Sequence, residues 1–332
     1  MHTMKRRTLL GGAVLAGGAI VAARPARSAG SVSVYTAHLA SIVNALVPRF
    51  EKDTGIHVDV VKAGSGDIIK RIRAEAGAPR CDVIWSIGGE ELQANSQYLA
   101  HYTPKAAPAL DPKFAGGTNW LPYSGIVNVL MVNTRKVAKA DTPKSWMDLT
   151  DARWKKHIAM ARADTSGSSF MQLATILTIY GADAKGWAVY DKILRNTALA
   201  DSSGSVPRFV NDGEQFVGAT LEDNALNYVR GGGPVEIVYP ADGTSVAADG
   251  IALVKGAPHD ANGKAFIDWC LSKPTQAYLV SAIGRRSVRN DVPAGKDVPP
   301  LSAIKTVPYN LDWVAAHRAE FLKKWTSLVH QL

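Results

Sequence analysis

The sequence contains very little cysteine: Cys81 and Cys270 are the two cysteines in 332 residues. Neither belongs to a C-x-x-C pair or to a zinc-ligand spacing, so a cysteine-rich metal module and a disulfide scaffold are excluded. Both lie in apolar stretches, "RCDVIW" and "FIDWCL". They can form one disulfide in an oxidising compartment or remain two buried thiols, and both possibilities stay open at this stage.

The chain also lacks the short motifs of common enzymes. It has no G-x-S-x-G elbow, no Walker A loop and no G-x-G-x-x-G after a strand-like run. Its histidines are scattered and form no H-x-x-x-H pair that could hold a metal. The sequence therefore predicts no catalytic residues, no metal site and no cofactor.

Strong net charge is missing once the N-terminus is set aside. The formal charge is +9, but residues 1–28 contain five basic residues and no acid, so the remainder carries +4. A charge this small on about 300 residues argues against a nucleic-acid partner. It is compatible with a small anionic ligand.

The N-terminus has the three parts of a secretory signal. A basic segment, "MKRRTLL", precedes the apolar stretch "LLGGAVLAGGAIVAA" and the small-residue cleavage pattern "ARPARS". We predict a cleaved signal peptide over residues 1–28. The paired Arg6 and Arg7 favour the twin-arginine (Tat) route, with an ordinary Sec signal as the alternative. No cysteine follows for lipid anchoring, so we expect the mature chain to be free in the periplasm.

The mature sequence begins with an alternation of strand-like and helix-like runs. "SVSVYT", "IHVDVVKA" and "CDVIWSI" predict strands, and the segments between and after them have apolar residues at helical spacing. Such βαβαβα order predicts an α/β protein with a doubly wound sheet and helices on both faces. The same texture continues after the long apolar run "IVNVLMVNT".

No flexible linker separates the two halves of this pattern, which suggests that one α/β lobe is inserted in another. We predict a first lobe over residues 29–133 and 243–300, and a second over 134–242. Ligands of open α/β sheets bind at the carboxyl ends of strands, so the cleft between the lobes is the expected site. Residues 301–332 should form a helical segment packed on a lobe through Trp313, Phe321, Trp325 and Leu328.

Glycine and hydroxyl residues occupy nearly every predicted strand-to-helix junction. Unpaired N–H groups and a partial positive charge at helix N-termini can bind an anion there without arginine or lysine. Each serine or threonine could instead be an ordinary helix cap. The candidate ligand-binding residues are Thr36, His38, Ser65, Gly66, Ser86, Thr165, Ser166, Gly167, Ser168, Ser169, Ser203, Gly204, Ser205, Glu222 and Asp223.

Long segments of the mature chain resemble the periplasmic solute-binding proteins of ABC importers, which have the type II periplasmic binding protein fold. The resemblance is carried by "VYTAHLASIVNALVPRFEKDTGIHVDVVKAGSGDIIKRIRAE", "CDVIWS", "NVLMVNTRKV", "PKSWMDLTDARWKKHIAMA" and "GIALVKGAPHDANGKAFIDWCLS". It implies two lobes that close on a ligand, each with a mixed sheet, and docking on an ABC permease in the inner membrane. It also implies a binding protein rather than an enzyme, which we expect to be a monomer.

The related group includes binders of ferric iron, 2-aminoethylphosphonate and sugar phosphates. By resemblance, "TSGSS" is similar to the loop that holds the phospho group, and the adjacent tyrosines of the iron binders are missing here, since Glu222 and Asp223 stand in that segment. The resemblance therefore implies an anionic or zwitterionic ligand, a phosphonate or sugar phosphate, with its phospho end at residues 165–169. Its amine or hydroxyl end should meet Glu222 and Asp223, while Asp67 would oppose an anion if it faced inward.

Two alternatives remain open on the sequence. One is a ferric-iron-binding protein of an importer, because carboxylates also bind iron. The other is a secreted phosphoester hydrolase on the same scaffold, whose base or metal ligand would have to come from His38, Asp67, Glu222 and Asp223.

Overall fold

The computed structural model describes residues 30–332 of the chain. The predicted signal peptide, residues 1–28, lies outside the described residues. Among the helices from residue 30 onward, none is long and apolar enough to cross a lipid bilayer.

Strands and helices alternate through the first part of the described chain, as the periodicity predicts. Its elements are β1 (Ser31–Thr36), α1 (Ala40–Thr54), β2 (His57–Lys62), α2 (Ser65–Ala74), β3 (Val83–Gly88), α3 (Gly89–Gln93), β4 (Leu99–Ala100) and β5 (Leu121–Asn133).

The alternation continues to the C-terminus. The remaining elements are β6 (Ile158–Ala161), α4 (Gly167–Tyr180), α5 (Ala184–Arg195), β7 (Thr197–Ala200), α6 (Ser205–Asn211), β8 (Val217–Leu221), α7 (Glu222–Arg230), β9 (Val235–Val238), β10 (Thr244–Val254), α8 (Asp260–Cys270), α9 (Lys273–Tyr278), β11 (Thr306–Val307) and α10 (Leu311–Val329). A π-helical turn, Leu279–Ile283, follows α9.

The strands form one curled, mixed sheet whose main order is β2-β1-β3-β10-β5-β8-β6-β7, with β4 and β11 paired to β10 and β9 paired to β5. Strand β5 joins its two halves: residues 121–127 pair with β10, and residues 128–132 pair antiparallel with β8. In the first half β1 is parallel to β2 and β3, and in the second half β6 is parallel to β7 and β8. The predicted α/β class with mixed sheets is confirmed. The lobe boundaries remain predictions.

Each half of the sheet has a hydrophobic core of its own. The first is built around β1, β3 and α8, with Phe50, Trp85 and Phe266 fully buried. The second surrounds α4 and α5, and it includes Trp146 and Phe170. Burial of this much apolar surface is the main term that stabilises the fold.

Both cysteines lie in the first core as free thiols. Burial raises the pKa of Cys81 and of Cys270, which keeps both thiols protonated. Of the two possibilities that the sequence left open, the structure has two buried thiols.

Several element boundaries differ from the sequence prediction. The segment after β3, "EELQANSQYLAHY", has helical spacing and predicts one helix, but α3 ends at Gln93, because the Asn95 side chain donates to the Glu91 carbonyl. "TALA" is strand β7, which the sequence pattern did not indicate. The spacing of residues 262–283 likewise predicts one helix, but the helix breaks after Cys270, where the Ser272 hydroxyl accepts from the Thr275 N–H and starts α9.

Helix α10 packs on the second core and also reaches the first half of the molecule. Phe321 and Trp325 are buried against the α4–α5 cluster, with Trp313 and Leu328 partly buried beside them. A fifth residue, which the sequence did not single out, is Arg318: it is buried and lies 2.7 Å from a carboxylate oxygen of Glu91 in α3. The C-terminal helix therefore contacts both halves.

Candidate functional site

A cavity of about 270 Å³ lies where the two halves of the sheet meet. Nine of the fifteen predicted site residues line it: His38, Ser65, Ser86, Thr165, Ser166, Gly167, Ser168, Ser203 and Gly204. A larger cavity of about 390 Å³, lined by Ile72, Cys81 and Tyr98 among others, contains none of the predicted site residues. The small cavity is the candidate site, because strand ends and helix N-termini from both halves converge on it.

One side of the cavity is formed by the start of α4, and we call residues 165–168 and 202–204 the hydroxyl wall. The Ser166 Oγ accepts from the Ser169 N–H at 3.3 Å, so Ser166 is a helix cap, and it also lies 3.1 Å from the Ser168 Oγ. The Thr165 Oγ1 is buried and has no partner among the described residues. The wall therefore combines a cap with hydroxyl groups that are still available to a ligand.

The loop before α2 contacts the hydroxyl wall directly. A Cβ on Gly64 would lie 2.5 Å from the Thr165 carbonyl oxygen, and a Cβ on Gly66 would lie 2.4 Å from that of Asp164. Side chains cannot be accommodated at such distances, so glycine is required at both positions for the two loops to meet. Gly66, predicted as a ligand contact, serves instead as a close contact between loops and does not line the cavity.

Three more predicted hydroxyl residues lie outside the cavity lining because neighbouring groups use them. The Thr36 Oγ1 accepts from the His38 N–H at 3.1 Å. The Ser169 Oγ donates to the Ala161 carbonyl at 2.5 Å. The Ser205 Oγ lies 3.1 Å from the Ser202 Oγ. These hydroxyls have structural partners within the protein. This agrees with the alternative that such residues stabilise turns and helix starts and do not bind a ligand.

The structure does not bring Glu222 and Asp223 to the cavity surface. Glu222 forms a two-pronged ion pair with Arg286, at 2.8 Å for each contact, and accepts from the Tyr239 hydroxyl. Asp223 accepts from the Arg285 Nε at 2.9 Å. All four charged residues are buried. Their internal pairing corrects the expectation that the two acids meet an ammonium or hydroxyl group of the ligand.

Arg285 lies at the centre of a second side of the cavity, which we call the charged wall: Ser86, Asp249 and Arg285. The Arg285 Nη1 donates to the Ser124 hydroxyl at 3.0 Å and to Asp249 at 2.5 Å. Burial lowers the pKa of Arg285, but the carboxylates of Asp223 and Asp249 outweigh that effect and raise it. The guanidinium is therefore permanently charged and already paired with two acids.

Ser86 takes up an unusual backbone conformation in this wall. Its φ is 64°, in the left-handed region, and the pairing of β3 with β10 shifts by one residue at this point, so that Ser86 is the extra residue of a bulge. The Ser86 hydroxyl donates to Asp249. Bulges and left-handed non-glycine residues concentrate at binding sites, where they direct a side chain.

His38 is buried at the cavity with neither ring nitrogen bonded to a described residue. Its ring packs edge-on against Trp85 at 4.5 Å and Tyr123 at 5.4 Å between centroids. Burial, and secondly the nearby Arg285 cation, hold the pKa of His38 well below its usual range. The imidazole is therefore neutral, and it offers a ligand one donor and one acceptor.

Sequence reasoning missed most of the charged residues of the cavity: Lys62, Glu90, Asp201, Asp249 and Arg285, together with the amide of Asn224. One signal was present, because the adjacent acids Glu222–Asp223 are equal in number and opposite in charge to the adjacent arginines Arg285–Arg286. With Asp67, the lining has four acids and two basic side chains. An anion in this cavity must therefore be bound mainly by neutral donors.

The described residues contain no group of three or more histidine, cysteine, aspartate or glutamate side chains that could hold a metal ion. Among the residues that line the cavity there is no tyrosine. The arrangement can bind a small polar solute through hydroxyl, amide and imidazole groups.

Comparison with known proteins identifies the family of this architecture. The family model of bacterial extracellular solute-binding proteins matches residues 45–306. The chain belongs to this family. Its members bind solutes and are not enzymes, and those that serve ABC importers deliver a small ligand to a permease from the periplasmic side. That assignment agrees with the function that the sequence resemblance implies.

Individual relatives of this solute-binding protein differ in their named ligands. The chain is 26% identical over 291 residues to a putative 2-aminoethylphosphonate-binding periplasmic protein of Salmonella paratyphi A, covering 83% of this chain and 84% of the other. Its fold is similar to AfuA of Actinobacillus pleuropneumoniae with fructose 6-phosphate bound, at TM-score 0.86 and 23% identity, over 92% and 100% of the two chains. It is also similar to iron-bound HitA of Pseudomonas aeruginosa, at TM-score 0.78 and 21% identity, over 89% and 99%. The two structural matches establish the type II periplasmic binding protein fold.

Proposed function

We propose that the protein captures a small organic phosphonate or sugar phosphate in the cavity and delivers it to an ABC permease in the inner membrane. The observation that carries this proposal is the hydroxyl wall at the N-terminus of α4, a helix of 14 residues. Ser168 and Thr165 are available donors there, and the helix dipole favours negative charge at the same point. The mature form is a periplasmic monomer, exported through its cleaved signal peptide by the Tat route.

The end of the ligand away from the phospho group is also polar in this proposal, since phosphonates such as 2-aminoethylphosphonate carry an amine there and sugar phosphates carry hydroxyl groups. The His38 ring nitrogens and the Asn224 Oδ1 are buried at the cavity without a partner among the described residues. Buried polar atoms are costly unless they are hydrogen-bonded, so ligand hydroxyl or amine groups would satisfy them. His38 and Asn224 replace Glu222 and Asp223 as the proposed contacts for that end.

The named relatives support the same ligand class. One of them is named a putative 2-aminoethylphosphonate-binding periplasmic protein, and the AfuA structure contains fructose 6-phosphate. A cavity of about 270 Å³ suits a ligand of this size better than a peptide or a polymer.

Ferric iron is the second candidate, and the similarity to iron-bound HitA favours it. A hard, highly charged cation needs several anionic oxygen ligands in one place. Of the acids that line the cavity, Asp249 is already bonded to Arg285 and Ser86, and the described residues contain no group of three or more acidic, histidine or cysteine side chains that could hold a metal ion. The lining therefore supports an organic anion better than a metal ion.

The lining of this cavity does not favour the third candidate, a phosphoester hydrolase. Its general base would be His38 or Asp67, since Glu222 and Asp223 do not line the cavity. The His38 nitrogens contact no carboxylate that would activate the ring.

Thermal unfolding with a panel of ligands tests the proposal. 2-Aminoethylphosphonate and fructose 6-phosphate should raise the melting temperature, since ligand at 100 times its Kd stabilises by about 2.7 kcal/mol. Recovery of unchanged ligand after incubation separates binding from hydrolysis. Stabilisation by ferric citrate with no response to either phospho compound would overturn the proposed ligand class.

A further inference from the structure

Glu90 is a buried acid that faces the cavity without a counter-ion. It is the second residue of α3 and is 1% exposed. Its carboxyl group lies against the glycine before the helix, since a Cβ on Gly88 would be 2.4 Å from the Glu90 Oε1. That oxygen is buried and has no hydrogen-bond partner among the described residues.

The cation that acts on Glu90 is Arg318, which is paired with another acid. Arg318 from α10 forms its ion pair with Glu91 at 2.7 Å and lies over the Phe170 ring at 4.4 Å. The other ionisable groups that surround Glu90 are Asp249 from β10 and Tyr309, which precedes α10. His38, Lys62, Asp67, Asp201 and Arg285 share the cavity lining with it. Arg285 is in turn neutralised by Asp223 and Asp249.

These surroundings oppose ionisation of Glu90. Burial, with smaller contributions from Glu91 and Asp249, raises the pKa of Glu90 to about 7, although Arg318 acts in the other direction. A protonated carboxyl group donates a hydrogen bond, whereas a carboxylate can only accept one. The two forms therefore present opposite chemistry to an anion in the cavity.

We propose that Glu90 makes ligand capture dependent on a proton: its protonated carboxyl donates a hydrogen bond to an electron-rich oxygen of the anionic ligand, and its ionised form opposes that ligand. This inference rests on the proposed ligand class. Binding at alkaline pH takes up nearly one proton from solvent at Glu90, and release of the ligand returns it.

Calorimetric titration of the full mature chain tests this coupling. Fructose 6-phosphate and 2-aminoethylphosphonate are titrated into the wild type and Glu90→Gln between pH 5.5 and 8.5. The ligand's own ionisation affects both proteins equally, so the ratio of their Kd values isolates Glu90. The ratio of wild-type to variant Kd should rise roughly thirtyfold over this range, because the wild type must bind a proton and glutamine stays neutral.

Asp67→Asn is the matched control. Asp67 also lines the cavity, but its side chain is 52% exposed and lies 3.1 Å from Lys70. Its replacement should tighten binding by a similar factor at every pH. A ratio for Glu90→Gln that stays constant with pH would overturn the inference alone. No binding by either protein at any pH would overturn both the inference and the proposed function.

A spectroscopic measurement on the wild type keeps the test independent of the variant's folding. The infrared difference spectrum between ligand-bound and ligand-free protein at pH 8.5 should gain the carbonyl band of a protonated carboxyl group. A difference spectrum without that band would contradict proton uptake by Glu90.

Discussion

The hydroxyl wall and the charged wall border the same cavity with opposite uses of their polar groups. In the hydroxyl wall, the Thr165 Oγ1 has no partner and Ser168 contacts only the Ser166 hydroxyl among the described side chains. In the charged wall, Arg285 bonds Asp223, Ser124 and Asp249, and Ser86 bonds Asp249 as well. The charges of the charged wall are therefore paired with one another and stabilise the fold, whereas the hydroxyl wall keeps donors that are free for a ligand.

Removing the cation of the charged wall should have the largest effect on stability. Arg285→Met leaves Asp223 and Asp249 buried without their partner, which should lower the free energy of unfolding by about 3–5 kcal/mol. Urea denaturation measures the loss. Arg208→Ala is the control: its ion pairs are about half exposed, and the change should cost less than about 1 kcal/mol. Equal, small losses for both variants would remove the distinction between the walls.

Glu90 should make the ligand-free protein less stable as the pH rises. Its pKa is raised from 4.5 to about 7 in the folded state, so the penalty is absent below about pH 4.5 and complete above pH 7. Glu90→Gln should therefore increase the free energy of unfolding by about 3 kcal/mol at pH 8 and change it little at pH 4.5. Denaturation curves at both pH values measure this. A stabilisation that is equal at the two pH values would contradict the assignment.

The loop contact beside the hydroxyl wall should be sensitive to a single methyl group. Gly66→Ala places a Cβ 2.4 Å from the Asp164 carbonyl oxygen, and overpacking of this kind costs about 1–3 kcal/mol. We expect roughly tenfold weaker ligand binding in calorimetry, because the loops that border the cavity are pushed apart. At Gly77 a Cβ would meet nothing within 4 Å, so Gly77→Ala should bind like the wild type. Equal affinities for the two variants would show that the contact is dispensable.

Within the hydroxyl wall, neighbouring serines should separate capping from binding. Ser168→Ala removes no cap, so it should weaken phosphonate or phosphate binding by roughly tenfold while the melting temperature of the empty protein stays the same. Ser166→Ala should in addition cost about 1 kcal/mol of stability, because Ser166 caps α4. Ser169→Ala should affect stability alone. Calorimetry and thermal melts distinguish these patterns, and unchanged affinity for Ser168→Ala would reduce the wall to a helix cap.

The contrast also explains which parts of the site could be predicted from the sequence. A strand end followed by "TSGSS" and a helical run is a local pattern, so the hydroxyl wall was expected. The charged wall joins residues far apart in the chain: Arg285 meets Asp223 across 62 residues, and Ser86 meets Asp249 across 163. The spacing of residues along one segment does not predict which distant residues will meet in the fold. Glu90 was missed for a related reason, since an acid in a first helical turn ordinarily only complements the helix dipole.

A crystal structure of the mature protein with fructose 6-phosphate tests the central claim most directly. The account predicts that the phosphoryl oxygens lie within hydrogen-bond distance of the Ser168 hydroxyl and the first N–H groups of α4, and that Arg285 keeps its bonds to Asp223 and Asp249. A phosphoryl group bound by Arg285 in place of its two carboxylates, away from the hydroxyl wall, would contradict it.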